Sequence, residues 1–419
     1  MADRMLLAFG KYLRLVRERR KLSLTDVVTL TKSYPEPIGK GYLSRVERGL
    51  ARVGFSKMVA LSRAYEVSLD AFGEKLALDL EVDALKDSPD TKGKTFGELT
   101  NEGIEFDQKG LRWKCYALMR DAMYLAPTDP LLDRFKDQSE QVVWATLSHS
   151  VAARSLGRYA LALTELTFVH AQESALSPER LPIVYQQLAV AKRRSGAVSE
   201  AMTLTNRAIE LAQQAPTRKH LGDALETKAL IAMQIQDYPS AIAAYQETFA
   251  AYKASGRQLD CARTLNNLAQ SYFDTRRIKA ARRALAAAER LASELGADSI
   301  RARSRILSGE IELIEGNATK ASEAWHSALD IARRTHDTVA YFKAEFQLFN
   351  LAIQQKNVTV THALGRRLNR LMPWVPRTEP EVDDFMRLYA IHRKPKQRTV
   401  APAQHGRPDP RNPDSRRVL

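Results

Sequence analysis

The stretch 32-KSYPEPIGKGYLSRVERG-49 decides how the first part of the chain folds. Its second half favours a helix over residues 39–48, and Gly49 follows as a residue type that commonly stops a helix. Pro35 and Pro37 in its first half cannot continue a helix and push the residues before them toward extended conformations. The stretch therefore predicts a short helix that follows an extended, proline-containing turn.

Helical signals also surround this stretch on both sides. Residues 6–20 carry apolar side chains at the spacing of an amphipathic helix. Ser23 with Asp26 three residues later is the pattern of a capping box and predicts a second helix. Residues 56–67 favour a fourth helix, and Ser68 is suited to cap a fifth. The first ~75 residues are thus predicted to form a domain of five short helices.

The overall composition is typical of a globular protein of two or three domains. The chain has 419 residues, 44% apolar and 27% charged, which suffices for a buried core. We expect no secretory signal, and no apolar run approaches the ~18 residues needed to cross a bilayer. Cys115 and Cys261 are far apart and fit no metal spacing. A reduced, cytoplasmic protein without a cofactor is therefore expected.

The net charge of +15 is distributed unevenly. Residues 1–75 carry 15 Lys/Arg against 8 Asp/Glu, whereas residues 76–110 carry 4 against 9. The segment 393–419 is again basic, with 8 against 2. A basic first domain fits a nucleic-acid binder, although a solvated basic face is an equal alternative.

The rest of the chain repeats with a period of 40 residues. The segments 196-GAVSEAMTL-204, 236-QDYPSAIAA-244, 276-RRIKAARRA-284 and 316-GNATKASEA-324 place a small residue at equivalent positions. These residues are Ala201, Ala241, Ala281 and Ala321, with weaker matches at Ala162 and Thr361. Each segment is a turn followed by a helix and is preceded by another helix. A repeated helical hairpin is the signature of an α-solenoid.

Both parts resemble known families. The pieces LRLVRERRKLSLTDV, YLSRVERG and LSRAYEVSLDAF resemble the xenobiotic-response-element, or phage-repressor, type of helix-turn-helix. About five extra residues near 33–37 lengthen the turn, and we interpret the motif as functional with an expanded turn. The array resembles the tetratricopeptide repeat, because a small residue of each first helix precedes the second-helix alanine by 12 positions. These first-helix residues are Ala189, Ala229, Ala269 and Gly309.

The resemblance to the repressor family implies roles for individual residues. Its third helix lies in the major groove of DNA. Base contacts would then come from Lys40, Tyr42, Ser44 and Arg45, and phosphate contacts from Arg48 and Arg52. Arg17 would pair with Glu47 to hold the first helix against the third. For each exposed cation, simple solvation is the alternative.

The tetratricopeptide resemblance implies a concave groove lined by the first helices, where side-chain amides can bind the backbone of an extended peptide. The implied groove residues are Gln186, Arg193, Glu226, Asn266, Gln270, Glu310 and Asn350. The alternative is that they are ordinary polar residues between helices.

The predicted fold class is therefore all-α: a five-helix, repressor-type helix-turn-helix domain followed by a tetratricopeptide-like α-solenoid. We predict the head at 1–78, an acidic linker at 79–110, the repeat array at 111–392 and a disordered basic tail at 393–419. A further helical hairpin is expected within 111–140.

Together the two domains resemble the peptide-responsive transcription regulators of bacteria. This implies a cytoplasmic homodimer that binds double-stranded DNA, is associated with the nucleoid when bound, and takes a peptide or protein partner in the array. No catalytic constellation is evident in the sequence, and neither an enzyme nor a membrane partner is expected. The alternative is a tetratricopeptide interaction scaffold whose helix-turn-helix head does not recognise DNA.

Overall fold

A computed structural model describes residues 2–84, 87–108, 111–335, 337–375 and 379–392. Within these ranges the chain contains α-helices and short 3-10 turns but no β-strand, so the predicted all-α class is confirmed. The segment 393–419, for which a disordered basic tail is predicted, lies outside the described residues. The first five helices are α1 (Ala2–Arg19), α2 (Leu24–Thr31), α3 (Lys40–Glu47), α4 (Phe55–Ala64) and α5 (Leu69–Ala84).

Local capping signals set where these helices begin and end. The Asp26 amide donates to Ser23 Oγ at 3.1 Å and the Ser23 amide donates to Asp26 Oδ2 at 2.7 Å, which completes the capping box of α2. Gly49, two residues after the end of α3, adopts a left-handed φ of 73°. The Ala71 amide donates to Ser68 Oγ at 3.1 Å at the start of α5. Each cap satisfies backbone groups that the helix itself leaves unpaired.

The segment 79–110 is mostly helical, which corrects its interpretation as a linker. Residues 79–84 complete α5, and a further helix, α6 (Phe96–Gln108), packs against α7 (Arg112–Leu125). Phe96 and Leu99 are fully buried in this contact, while the acidic residues lie mainly on the outer face. The high charge masked a helical apolar period. The domain boundaries that we place at 78 and 110 stay predictions.

The partner of α7 in a hairpin is therefore α6, whereas the sequence suggested residues 129–138. Residues 129–137 form an irregular connection that contains Pro130, and residue 138 already begins the next helix. Gln141 Nε2 donates to the carbonyl of Ala126 at 3.2 Å, and Gln138 Nε2 donates to that of Asp129 at 3.2 Å. Side-chain amides thus replace the backbone bonds that a helix would have supplied.

Among the described residues, six helical hairpins and a final helix follow. They are α8 (Gln138–Ser155) with α9 (Tyr159–Ala171), α10 (Leu181–Arg194) with α11 (Val198–Gln214), α12 (Leu221–Gln234) with α13 (Tyr238–Ala254), α14 (Gln258–Asp274) with α15 (Ile278–Glu294), α16 (Asp298–Ile314) with α17 (Ala318–Arg334), α18 (Thr338–Gln354) with α19 (Val358–Leu371), and α20 (Pro380–His392). The two helices of each hairpin pack against each other, and each second helix packs against the next first helix.

Small residues mark the points where helices cross closely. Ala189, Ala229, Ala269 and the second-helix alanines are fully buried. At Gly309 a Cβ atom would collide with the Trp325 ring, which is fully buried and donates through Nε1 to the Ile306 carbonyl at 3.0 Å. The repeated small residue is thus the condition for the close approach of the helices.

The solenoid curves toward its first helices. First helices of neighbouring hairpins contact one another, as seen for α10 with α12, α14 with α16, and α16 with α18. Second helices lack comparable contacts with one another in the described part of the array. Because the first helices are closer together, they line the inner, concave face.

Candidate nucleic-acid interface and ligand groove

A buried ion pair fixes α3 on α1. Arg17 Nε donates to Glu47 Oε1 at 2.6 Å and Arg17 Nη2 donates to Glu47 Oε2 at 2.9 Å. The two side chains are 11% and 6% exposed, and Arg17 Nη1 also donates to the Leu22 carbonyl at 2.8 Å. Such a two-point bond between planar groups restrains orientation as well as distance. The structure therefore brings together the two residues that sequence analysis paired.

The outer face of α3 presents two free cations. Lys40 and Arg45 are exposed, whereas Leu43 and Val46 on the opposite face are buried in the head core. Neither Lys40 nor Arg45 has an ion pair or hydrogen-bonded side-chain partner among the residues that the structure describes. An unpaired guanidinium near a helix that can enter the major groove is suited to donate to guanine O6 and N7.

The other candidate contacts are partly engaged within the protein. Tyr42 is half-buried, donates from its hydroxyl to the Arg52 carbonyl at 2.6 Å, and lies under Lys57 Nζ at 4.6 Å from the ring centroid. Arg48 Nε donates to the Ser44 carbonyl at 3.2 Å. Tyr42 therefore holds the loop after α3 in place. Sequence analysis missed Lys57, since nothing in its local pattern points to α3.

The expanded turn before α3 is anchored rather than loose. Residues 35–37 are exposed, but Ile38 after them is fully buried and Tyr34 before them packs against the head core. Lys57 Nζ also lies 3.7 Å from Glu36 Oε2. The inserted residues thus bulge outward while both ends are held by apolar contacts, so α2 and α3 still pack against each other.

The head and the first hairpins share one hydrophobic core. This core extends from Phe9 and Tyr12 of α1 through Phe72 of α5 to Tyr116 of α7 and Leu161 of α9. Burial of so much apolar surface couples the head to the array.

A buried polar network crosses the same contact. Lys75 Nζ donates to Asp79 Oδ1 at 2.6 Å and to Oδ2 at 2.7 Å, and Arg120 Nη1 of α7 donates to Asp79 Oδ1 at 3.4 Å. Lys75 and Asp79 are fully buried, and this burial lowers the pKa of Lys75 although the Asp79 charge opposes the shift. Arg19 Nη2 of α1 donates to Thr146 Oγ1 of α8 at 2.6 Å. The head is therefore attached at several points.

The predicted groove residues lie on the first helices, and most bond to the next first helix. Gln186 Nε2 donates to Thr227 Oγ1 at 3.0 Å and Arg193 Nη1 donates to Gln234 Oε1 at 3.3 Å. Asn266 Oδ1 accepts from Ser304 Oγ at 2.9 Å. These bonds form a ladder between hairpins, so these side chains help to set the spacing of the array.

The acidic groove residues are bonded as well. Glu226 accepts from Arg263 Nε at 3.0 Å and from Tyr252 Oη at 3.0 Å. Glu310 Oε1 accepts from Gln347 Nε2 at 2.9 Å. Gln270 bonds within its own helix, to Asp274 Oδ1 at 2.9 Å, and Asn350 is half-buried.

The two ends of the groove differ in the sign of the charged side chains that line them. At the far end, burial first and then the charges of Glu381 and Asp274 raise the pKa of Glu310 to about 7. At the end near the head, burial first and then the charge of Arg194 lower the pKa of Arg193 to about 10. Carboxylates thus lie close to one another at the far end, and arginines lie close to one another at the end near the head.

The fold and this geometry define the class of the molecule: a helix-turn-helix head carried on a curved, tetratricopeptide-like α-solenoid. Residues 8–72 match the family described as helix-turn-helix domain. This agrees with the resemblance inferred for the head.

Solved structures share the solenoid fold. A Rap protein complexed with competence and sporulation factor is 12% identical, with 70% of this chain and 79% of that chain covered and a TM-score of 0.53. The apo form of RapI is 11% identical, with 71% and 81% covered and a TM-score of 0.51. Bacillus thuringiensis PlcR, in complex with the peptide PapR7 and DNA, is 11% identical, with 72% and 99% covered and a TM-score of 0.43.

At these identities the likeness to the two Rap structures, whose TM-scores are 0.53 and 0.51, describes the fold alone. No curated protein matches the chain. Among the described residues, no helix combines the length and the apolar character needed to cross a membrane.

Proposed function

We propose that this protein is a sequence-specific DNA-binding transcription regulator whose repeat array binds a peptide or protein partner. The observation that carries the proposal is the pair of free cations, Lys40 and Arg45, on the exposed face of α3 within a matched helix-turn-helix domain. Arg17 and Glu47 hold that helix against α1. A pre-positioned helix loses little conformational entropy on entering the major groove.

The proposed DNA contacts differ among the candidate residues. Lys40 and Arg45 are free to contact base edges, and Ser44 lies between them on the same helix. Arg48 and Arg52, exposed just after the helix, are suited to phosphates. Tyr42 contributes through the loop that it holds.

The proposed mechanism is that two copies bind two half-sites about one helical turn of DNA apart. The shared core and the bonds from Arg19 and Arg120 support a head that moves together with the first hairpins. A partner that binds one curvature of the array better than another would then change the placement of the two heads. Partner binding to a Rap protein of similar fold supports the array as the binding part.

The decisive test is DNA binding by the full chain, wild type and Arg45→Ala, to DNA from upstream of its own gene and to selected random sequences. Several phosphate contacts should make affinity fall by orders of magnitude between ~50 and ~200 mM salt. Loss of a base contact should cost ~1–3 kcal/mol on the preferred site and much less on random DNA. Arg283→Ala on α15, far from the head in the sequence, is the matched control. It should change neither the affinity for the preferred site nor the affinity for random DNA.

If the wild type prefers no sequence and Arg45→Ala binds identically, the head does not recognise DNA. The chain is then an interaction scaffold. If affinity for DNA is present but unchanged by every partner that binds the array, DNA recognition stands and the switching mechanism fails.

A further inference from the structure

The groove contains three arginines near the head that no carboxylate neutralises. Arg154 lies near the end of α8, and Arg193 and Arg194 end α10, the next first helix. No Asp or Glu oxygen lies within 4 Å of these guanidiniums in the described part of the chain. The charge of Asp107 acts on Arg154 only from beyond this distance.

Neutral amides take the place of carboxylates around these arginines. Arg154 Nε donates to Gln187 Oε1 at 3.0 Å, and Arg193 Nη1 donates to Gln234 Oε1 at 3.3 Å. Arg193 Nε is buried and has no hydrogen-bond acceptor among the residues that the structure describes. Amide partners leave the positive charge of each guanidinium uncompensated, and the guanidinium N–H groups that they do not engage can donate to an anionic ligand.

The next part of the groove contrasts with this cluster. Arg263 is neutralised by Glu226 at 2.9 Å and by Asp260 at 2.7 Å, and Arg257 by Asp223 at 2.8 Å. The array therefore normally pairs its inner arginines. The three arginines near the head concentrate positive charge that no carboxylate of the described residues pairs with.

We propose that Arg154, Arg193 and Arg194 form a carboxylate-binding site at the end of the groove near the head, which takes a carboxylate of an extended peptide. This rests on the proposed role of the array as a partner-binding part. Arginine suits the task because its planar fork can hold both oxygens of a carboxylate. Gln187 and Gln234 orient the guanidiniums while leaving their charge free.

Charge at the opposite end sets the direction of the peptide. Glu310, Glu381 and Asp274 surround the far end, where Lys343 is paired with Glu381 at 3.0 Å. A carboxylate is repelled there and attracted near the head. The helices α10 and α16 are three hairpins apart, or about 30 Å at ~10 Å for each pair of packed helices. About nine extended residues span that length.

The test uses two pools of randomised nonapeptides, one with free C-terminal carboxylates and one with C-terminal amides. The full chain is immobilised, bound peptides are identified by mass spectrometry, and single enriched peptides are titrated. Arg193→Gln/Arg194→Gln removes two positive charges from the site. Arg283→Gln/Arg290→Gln removes two exposed charges from the second helix α15 and is the control. Arg194→Gln alone, at an exposed position, guards against loss of folding.

We expect enriched peptides to lose at least tenfold in affinity with the site variant and nothing with the control variant. A matching loss on amidation identifies the C-terminal carboxylate as the group bound. Enrichment of Asp or Glu without an effect of amidation identifies an acidic side chain instead.

The inference is overturned if enriched peptides bind the site variants as tightly as the wild type. Peptide binding by the array, and with it the proposed function, would still stand. If the wild type enriches no peptide from either pool, the peptide-carboxylate site is rejected. Whether the head recognises DNA is then tested by the DNA-binding experiment alone.

Discussion

At the scale of single residues, environment changes the chemistry of groups whose type alone says little. Glu310 and Glu312 lie two positions apart on α16. The first faces the groove, where burial and neighbouring carboxylates raise its pKa. The second accepts from Arg282 Nη2 at 2.9 Å, and this hydrogen bond lowers its pKa. The pKa values of two residues of the same type are thus shifted in opposite directions by the faces of the helix that they occupy.

Replacement of Glu310 by Gln is therefore expected to change how stability depends on pH. The folded pKa of Glu310, about 7, is above its ordinary value of 4.5. Its contribution to stability is fully present below pH ~4.5 and is lost as the pH rises through 7. The Glu310→Gln variant should show a smaller loss of stability with rising pH. At pH 8 its free energy of unfolding should exceed that of the wild type by about 1–3 kcal/mol.

Denaturant unfolding at pH 5, 6, 7 and 8 measures this difference. Glu312→Gln is the matched control and should lower stability at pH 8, because it removes an acceptor whose charged form is favoured. Parallel pH curves for Glu310→Gln and the wild type would show that the carboxylate is not perturbed by the fold.

At the scale of elements, the hairpin turns repeat one backbone conformation more faithfully than they repeat a residue. Equivalent turns place a left-handed residue at Gly157, Gly196, Gln236, Arg276, Gly316 and Lys356. Glycine adopts this conformation without strain, whereas a residue with a Cβ is disfavoured by about 1–2 kcal/mol. Three of the six turns therefore retain strain that the repeat geometry imposes.

Gln236→Gly should stabilise the array by about 0.5–1 kcal/mol, since the relief of strain exceeds the added freedom of the unfolded chain. Gln236 is exposed and has φ of 61°, so little else is lost. Thermal unfolding of the full chain reports the change. Gln236→Ala keeps a Cβ and should give no gain, and an equal gain from alanine would assign the effect to the lost side chain.

At the scale of the whole molecule, the contact between head and array decides whether they behave as one body. Asp79 of α5 is fully buried and accepts from both Lys75 and Arg120. Glu81, two residues later, is exposed and pairs with Arg158 at 2.8 Å. A buried charge left without its partner destabilises far more than the loss of a surface pair.

Asp79→Ala is thus expected to destabilise the contact by about 3–5 kcal/mol, because Lys75 keeps a buried charge without its carboxylate. Arg120 still pairs with Asp121 at 3.0 Å and with Asp83 at 3.6 Å. Glu81→Ala should cost no more than ~1 kcal/mol. Hydrogen exchange measured across α1–α5 should accelerate in the first variant and stay unchanged in the second. Unaltered protection in Asp79→Ala would mean that apolar contacts alone hold the head.

The sequence by itself determined most of the helices, the helix-turn-helix class and the 40-residue repeat. Capping residues such as Ser23 and small residues such as Ala229 act locally or at a fixed period, so their pattern is visible without a structure. The helix over 96–108 was missed because its exposed face is acidic and its apolar residues repeat over too short a stretch to stand out.

Only the tertiary structure decided which polar side chains are free. Tyr42 and Arg45 are three positions apart, yet the first is bonded to the loop after α3 and the second has no partner among the described residues. Asp79 and Arg120 meet across 41 residues of chain. Partners of this kind depend on how helices pack, and packing brings together residues whose separation in sequence carries no signal.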